Sequence, residues 1–476
     1  MSDLAGDPVD WRALWRSGDL GRLCFVSLGI LLHSTNETMI TTIMPAMVRD
    51  LSGVQFVGWS FAIYEIGAIV AGAAAGRMLS YISLRTNMAG AAMIYAIGAM
   101  MCALAPTMPF LLAGRLVEGL GGGALVALAY VSVERLFPRA IWPQLFAIMS
   151  AIWGIAAFSG PLLGALISAA AGWRYAFGAF SVAGLVMAAI SYVVLSGPAA
   201  RRDASLMPPP FPVVPLSCLA LAVLLIAVAG VEIRLLTSSL LLALGIGGLA
   251  LFFVLDARRP QSRLFPSRPF DWRSPVGLGL TMVGAFSIST VSFAVYAPLL
   301  LTSLHGIPVL TTGYIIASES IAWSILSIMV ANAKPRHERA IIIVGAFMVA
   351  GGIAGFAYAI PLGSIPLILV CALLQGGGFG IAWPFVTRMI VASARPSEST
   401  VASSAVPAMQ RIGYAVGAAG AGIIANASGF AHGLSGETAR GVASWLFLAF
   451  LPLSVIGCMA AIALTRTSMT SLARVG

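Results

Sequence analysis

Charge is what this sequence has least of. Only 9% of its 476 residues are Asp, Glu, Lys or Arg, and of its 27 basic residues Lys334 alone is a lysine. A soluble domain cannot cover its surface with so little charge, which excludes that class. Histidine is scarce at four residues. The five cysteines, Cys24, Cys102, Cys218, Cys371 and Cys458, all lie in apolar stretches, with no CxxC and no Cys/His cluster. That pattern suggests neither a disulfide framework nor a metal site. No phosphate-binding GxxxxGK[ST] sequence occurs, so ATP drive is not suggested. No Ser/His/Asp constellation is apparent, so no enzyme and no cofactor is expected. The net charge of +10 comes without a basic stripe interleaved with aromatics, so nucleic acid is not an expected partner.

What is present is apolar length. The chain is 59% hydrophobic, and its mean hydropathy is +0.96. These values predict an all-α polytopic membrane protein with the lipid bilayer as its main partner. A spanning helix needs roughly 20 apolar residues. Fourteen runs qualify: 22–45, 56–76, 88–105, 109–132, 144–169, 175–196, 211–230, 235–255, 275–301, 312–332, 340–360, 364–391, 401–426 and 442–465. The pair 211–230 and 235–255 is separated only by the short GVEIR and reads as a tight hairpin. Placing the N-terminus in the cytoplasm leaves only Arg49, Arg174, Arg234 and Arg440 outside, with Arg115 and Arg411 inside spans. That distribution obeys the positive-inside rule and puts both termini in the cytoplasm of a cell (inner) membrane protein. The rule does not separate twelve spans from fourteen, because a hairpin adds two; the run lengths favour fourteen.

The polar N-terminal segment, 1–21, has no signal-peptide pattern. The segment 256–274, DARRPQSRLFPSRPFDWRS, is the most basic, and its three prolines forbid one continuous helix. It reads as a cytoplasmic linker with a short amphipathic piece against anionic headgroups. A weak internal repeat pairs LVEGLGGGAL at 116–125 with LLQGGGFGIA at 373–382, and GIAAFSG at 154–160 with GYAVGAAG at 413–420. It predicts two six-helix bundles, 22–196 and 275–465, with the extra hairpin 211–255 between them, the linker 256–274, and a tail at 466–476.

The organising stretch runs from Gly114 to Arg174. Arg115 and Glu118 lie three apart, on one face of a helix inside an apolar run. Glu37, Glu65 and Glu319 are the other carboxylates within spans. At 1.5 Å per residue, Glu65 and Glu118 fall roughly 14 Å from the outer ends of their helices, near the middle of a ~30 Å hydrocarbon core. Glu37 and Glu319 fall in the outer half. Charges at such depth are costly and face a bundle interior or a water-filled path. Two readings stand for each. Arg115 with Glu118 is either a static pair that holds its helix or a proton-coupling and gating pair. Glu65, Glu37 and Glu319 are either substrate and proton sites or interhelical hydrogen bonds. Arg411 reads as an anchor of its helix, and His33 and His305 as packing residues. Gly160, Pro161 and Gly164 read as a hinge or close-packing element. Trp59, Tyr64, Phe293, Tyr296, Trp323 and Trp383 either line a cavity for a flat ring system or pack against lipid.

These residues resemble the major facilitator superfamily, and most of all its fourteen-helix drug:proton antiporter branch, over residues 22–465. GRLVEGLGGG resembles the fourth-helix pattern RxxQGxGgG, with Glu118 where Gln is usual. WGIAAFSGPLLGA resembles the fifth-helix antiporter pattern, with Gly154, Gly160, Pro161 and Gly164 in place and Ala165 for its last Gly. GWRYAF at 172–177 resembles the GWRWxF that follows it. NETMITTIMP at 36–45 resembles LDxTIVNVALP, with Asn36 for the Asp. GRMLSYISLRT keeps Gly76 and Arg85 of the loop pattern GxLaDrxGRr and lacks its Asp, with Ser80 or Tyr81 near that place. The resemblance implies a monomeric secondary transporter. It would export a small aromatic or amphipathic solute by alternating access against inward proton flow. The departures leave open an uptake transporter for a vitamin-like aromatic solute such as riboflavin.

Overall fold

The computed structural model describes residues 19–79, 81–138, 141–195, 211–331, 333–395, 398–430 and 436–472. The N-terminal segment to Gly18, Ser80, Arg139, Arg201, Arg202 and the last four residues of the tail lie outside them. The described residues are all-α. Helix α1 is Asp19–Leu51, α2 Val57–Met78, α3 Leu84–Ala103, α4 Met108–Leu136, α5 Trp142–Ala170 and α6 Trp173–Val194. Then come α7 Val213–Ala229, α8 Leu235–Ala257, α9 Pro275–His305, α10 Val309–Val330 and α11 Pro335–Leu362. The last four are α12 Ile365–Ser393, α13 Ser399–Ala427, α14 Gly436–Leu448 and α15 Leu451–Leu472.

Every expected run is helical, and the differences have local causes. The run 442–465 is split between α14 and α15 at Ala449–Phe450. Pro452, at the start of α15, lacks the N–H that would continue the helix. Helix α4 runs on to Leu136, four residues beyond the expected run. Among the described residues, twelve helical segments, α14–α15 counted as one, are long and apolar enough to cross a membrane. The two left out are α7, with 17 residues, and α13, whose Gln410, Arg411 and many small residues dilute its hydropathy. Apolar side chains such as Leu235, Leu240 and Ile246 on α8 are exposed, as a lipid-facing helix requires.

Beyond α8, residues 258–274 form turns and no helix, so the expected amphipathic piece is not seen. The segment folds back onto its own helix. The buried Asp256 carboxylate accepts from the N–H of Leu264 at 2.8 Å and of Phe265 at 2.9 Å. Phe265 then packs among Phe252 and Phe253, and Arg263 pairs with Glu398 at 2.7 Å.

The described residues group into two compact units. Unit 1 comes from Met1–Ile40 and Ile66–Phe211, and unit 2 from Thr41–Glu65 and Pro212–Gly476. In unit 1, α3 packs on both α4 and α6. In unit 2, α12 packs on both α10 and α11, and α9 on α13 and α15. Small residues allow these approaches. A Cβ at Gly121 would meet the Tyr95 backbone of α3, and one at Gly378, the repeat counterpart, would meet Val349 of α11. Gly123 likewise lies on Ala68 of α2, and its counterpart Gly380 on Trp323 of α10. Each Gly-rich helix therefore seats its own unit's neighbours at the same repeat positions.

At the end of α5, Gly172 adopts φ 103°, a left-handed conformation that favours glycine. Its N–H caps Ile167 and Ser168, and α6 starts at the next residue. Arg174 then lies 4.3 Å over the Trp173 ring and donates to the Ala105 carbonyl beyond α3.

Candidate functional site

Residues i and i+3 on α4 point the same way, so Arg115 and Glu118 meet as their spacing predicts. Arg115 Nη1 lies 2.6 Å from Glu118 Oε2. A third residue joins them from α1. Asn36 Nδ2 donates to Glu118 Oε1 at 2.8 Å, and Asn36 Oδ1 accepts from Arg115 Nη1 at 2.8 Å. All three side chains are buried in unit 1, with Arg115 1% and Glu118 0% exposed. A pair so thoroughly removed from water is costly unless its hydrogen bonds are met, and the Asn36 amide meets one on each partner. Close approach of α3 seals the site, because a Cβ at Gly98 would run into the Glu118 backbone.

The two departures at positions 36 and 118 are therefore one feature. The resembled patterns put a carboxylate on the first helix and an amide on the fourth. Here the amide is Asn36 and the carboxylate is Glu118, in direct contact.

Glu37, one residue on, faces elsewhere in unit 1. His33 Nε2 lies 3.5 Å from Glu37 Oε2, and the imidazole meets the Trp153 ring edge-on at 5.8 Å. His33, expected to be a packing residue, is thus the neighbour of a carboxylate, a pairing its i, i+4 spacing already contained. His305 does pack, with Nε2 2.7 Å from the Ile360 carbonyl near the end of α11.

Gly160, Pro161 and Gly164 are buried in α5 and Gly154 is half-buried. The helix continues through Pro161. Thr38 of α1 donates to the Ala156 carbonyl at 2.9 Å, in the turn before the proline. A Cβ at Gly160 would collide with Thr38 Oγ1.

Unit 2 holds the other two carboxylates in separate places. Glu65 Oε2 lies 3.0 Å from Arg411 Nη1 of α13. Arg411 is thus the partner of Glu65, and not merely an anchor of its own helix. Glu319 of α10 accepts from Gln375 Nε2 of α12 at 2.8 Å. One turn further, Trp323 and Phe379 stack with ring centroids 4.9 Å apart and 4° between planes, and Trp383 adjoins them.

The six aromatics do not form one wall. Trp323 and Trp383 come together. Phe293 stacks on Phe356 at 4.1 Å, and Tyr296 meets Phe430, all buried. Trp59 donates to the Ala227 carbonyl of α7 at 2.9 Å, and Tyr64 is buried. After the α2–α3 loop, Ser83 caps α3, and Arg85 in its first turn lies 5.6 Å over the Tyr192 ring.

Residues 26–359 match the Major Facilitator Superfamily. The probable multidrug-efflux transporter Rv1634 of Mycobacterium tuberculosis H37Rv is 30% identical over 476 residues, covering 97% of each chain. Among solved structures, an inward-facing bacterial homologue of the human lysosomal transporter Spinster superposes with a TM-score of 0.65 at 15% identity, covering 94% of this chain and 97% of that one. The nucleoside transporter NupG gives 0.63 at 15% identity, covering 93% and 98%. These structures share the fold. Family match, full-length relative and membrane-spanning helices agree: the chain is a multi-pass membrane protein, a transporter and not an enzyme, and it belongs to the major facilitator superfamily.

Proposed function

We propose that the chain is a proton-coupled efflux transporter of the inner membrane, moving small aromatic or amphipathic solutes by alternating access in the manner of the fourteen-helix drug:proton antiporters. The observation that carries this reading is the buried Arg115–Glu118–Asn36 cluster. A proton arriving on Glu118 cancels its charge and releases its ionic hold on Arg115, whose guanidinium still donates to the Asn36 carbonyl. The guanidinium is then available to the solute path, and loss of the proton draws it back. One proton thus switches one buried cation between two partners. Similarity to Rv1634 along nearly its whole length supports efflux as the direction.

In this reading 22–196 and 275–465 are the two six-helix bundles, and 211–255 is an extra spanning hairpin, for fourteen spans. Both termini are cytoplasmic. Gly154, Gly160, Pro161 and Gly164 let α5 move against α1. Glu37, Glu65 and Glu319 are further polar stations for solute or proton.

Inverted membrane vesicles carrying the full chain test the proposal. A panel of cationic dyes and riboflavin is offered with an acid-inside pH gradient. Accumulation that an uncoupler abolishes, and that Glu118→Gln abolishes in folded protein, supports it. Flux indifferent to the gradient removes the coupling, and net accumulation by whole cells reverses the direction.

A further inference from the structure

The charged segment between α8 and α9 has no part in the transport reading, yet it is held in a defined shape. The Asp256 carboxylate takes the N–H groups of Leu264 and Phe265, and Asp271 takes that of Arg273 at 2.9 Å. Phe270 meets Phe253 of α8 at 4.7 Å, which brings the far end of the segment back beside the last turns of that helix. Arg263 pairs with Glu398. Four arginines remain, Arg258, Arg259, Arg268 and Arg273, and all are exposed. Among the described residues none of their guanidinium groups has an ion-pair or hydrogen-bond partner.

Local electrostatics accounts for two of the four. Arg258 and Arg259 follow the last turn of α8, where a cation is favoured. Arg273 stands two residues before Pro275, the first residue of α9, where the helix end disfavours a cation. Its place runs against the local field and calls for an anion from outside the chain.

The apolar neighbours narrow the anion. Phe270 and Trp272 are exposed between Arg268 and Arg273, and Leu251 and Val254 are exposed in the last turns of α8. An apolar surface thus runs from α8 onto the segment and meets the charge there. Tryptophan at such a junction suits headgroup depth, and guanidinium groups grip phosphate oxygens in pairs. Helices α8 and α9 are both long and apolar enough to span, so the segment that joins them lies at the membrane surface. Lipid phosphate is therefore nearer than any acidic soluble protein.

We propose that residues 258–274 form a docking surface for anionic phospholipid. Arg268 and Arg273 hold lipid phosphates, Arg258 and Arg259 add to the same positive field, and Phe270 and Trp272 sit at headgroup level. Folded turns, and no amphipathic helix, present these side chains. The proposal is independent of the solute and of proton coupling.

Two measurements on the full-length protein test it. Native mass spectrometry in detergent, with phosphatidylglycerol or phosphatidylcholine titrated in, reads bound lipid. In nanodiscs containing phosphatidylglycerol, quenching by lipids brominated near the headgroup is compared between wild type and Trp272→Phe, which isolates Trp272 from the other tryptophans. The expected result is a preference for phosphatidylglycerol that Arg268→Gln/Arg273→Gln lowers roughly tenfold or more. Lys334→Gln/Arg336→Gln, an equal loss of exposed charge at the start of α11, should leave that preference nearly intact. Trp272 should be quenched. Thermal unfolding reports whether each variant is folded, and the quenching comparison needs no arginine variant. No preference for phosphatidylglycerol, or equal losses from the two double variants, overturns the docking surface. An unquenched Trp272 also overturns it and leaves the surface to a soluble acidic partner.

Discussion

Asn36 and Glu118 are 82 residues apart in the chain, and the amide of one donates to the carboxylate of the other across 2.8 Å. Taken singly, each residue departs from the pattern it resembles. Taken together, they conserve the inventory of one carboxylate, one amide and one guanidinium, with the carboxylate carried by α4. The charge is unchanged and its attachment point has moved.

That relationship makes a sharp prediction. Asn36→Asp alone puts two carboxylates around one Arg115, and Glu118→Gln alone removes the carboxylate that faces the buried guanidinium. Breaking a buried pair costs about 3–5 kcal/mol. Each single variant is therefore expected to unfold at clearly lower temperature and to lose transport. The double variant Asn36→Asp/Glu118→Gln restores the inventory and is expected to recover most of the stability. Thermal unfolding in detergent, read as a double-mutant cycle, measures this, and additive losses would show that the residues do not act as a unit.

The α1–α5 contact gives a second prediction. At Gly160 the added methyl of Gly160→Ala has only Thr38 Oγ1 and the α1 backbone to meet. Overpacking of this kind costs about 1–3 kcal/mol. Trimming the obstacle with Thr38→Ala should relieve part of the cost while also removing the bond to the Ala156 carbonyl. Melting temperatures of both single variants and the double variant check the claim. A Gly160→Ala protein as stable as the wild type would mean that the helices separate without resistance.

The Glu65–Arg411 pair, 346 residues apart in the chain, predicts mutual dependence. Both groups keep some exposure, 6% for Glu65 and 20% for Arg411, so screening reduces the pair below a fully buried one. Arg411→Ala is expected to cost roughly 1–3 kcal/mol, much of it from stranding the carboxylate, and Glu65→Gln less. The double variant Arg411→Ala/Glu65→Gln should be closer to wild type than Arg411→Ala alone. Additive losses in the double variant would show that the pair contributes nothing.

Much of this was legible in the sequence because a bilayer leaves so few options. Apolar runs about a bilayer long form helices, and all the runs do. The Arg115–Glu118 contact was legible from three-residue spacing, and His33–Glu37 was present in four-residue spacing beside an apolar background that made it look inert. The contacts of Asn36 and of Arg411 were not legible, since no local rule joins residues on distant helices. The repeat singled out Gln375 as the counterpart of Glu118 but could not name Glu319 as its partner, because the partners come from different helices in the two units. The path of the linker was not legible for a different reason: the side chain that ties it down, Asp256, lies at the end of the preceding helix.

The hairpin α7–α8 carries the last prediction. Helix α7 has 17 residues, too few for a comfortable span, and its C-terminal end is tied down by polar bonds. Asn426 of α13 donates to the Gly230 carbonyl at 2.6 Å and to the Gln55 carbonyl at 3.1 Å, and Trp59 donates to the Ala227 carbonyl at 2.9 Å. Carbonyls at a helix C-terminus lack intrahelical donors, and in an apolar setting each one left unmet costs about 1–3 kcal/mol. Asn426→Ala removes a donor shared by two carbonyls, so it should loosen the 230–234 turn and admit protease there. Asn426→Asp should do more harm than Asn426→Ala, because it sets a carboxylate against the same carbonyls, acceptor against acceptor. Limited proteolysis of the two variants orders them. If Asp is tolerated as well as Ala, water already serves these carbonyls, and the hairpin is held by apolar packing alone.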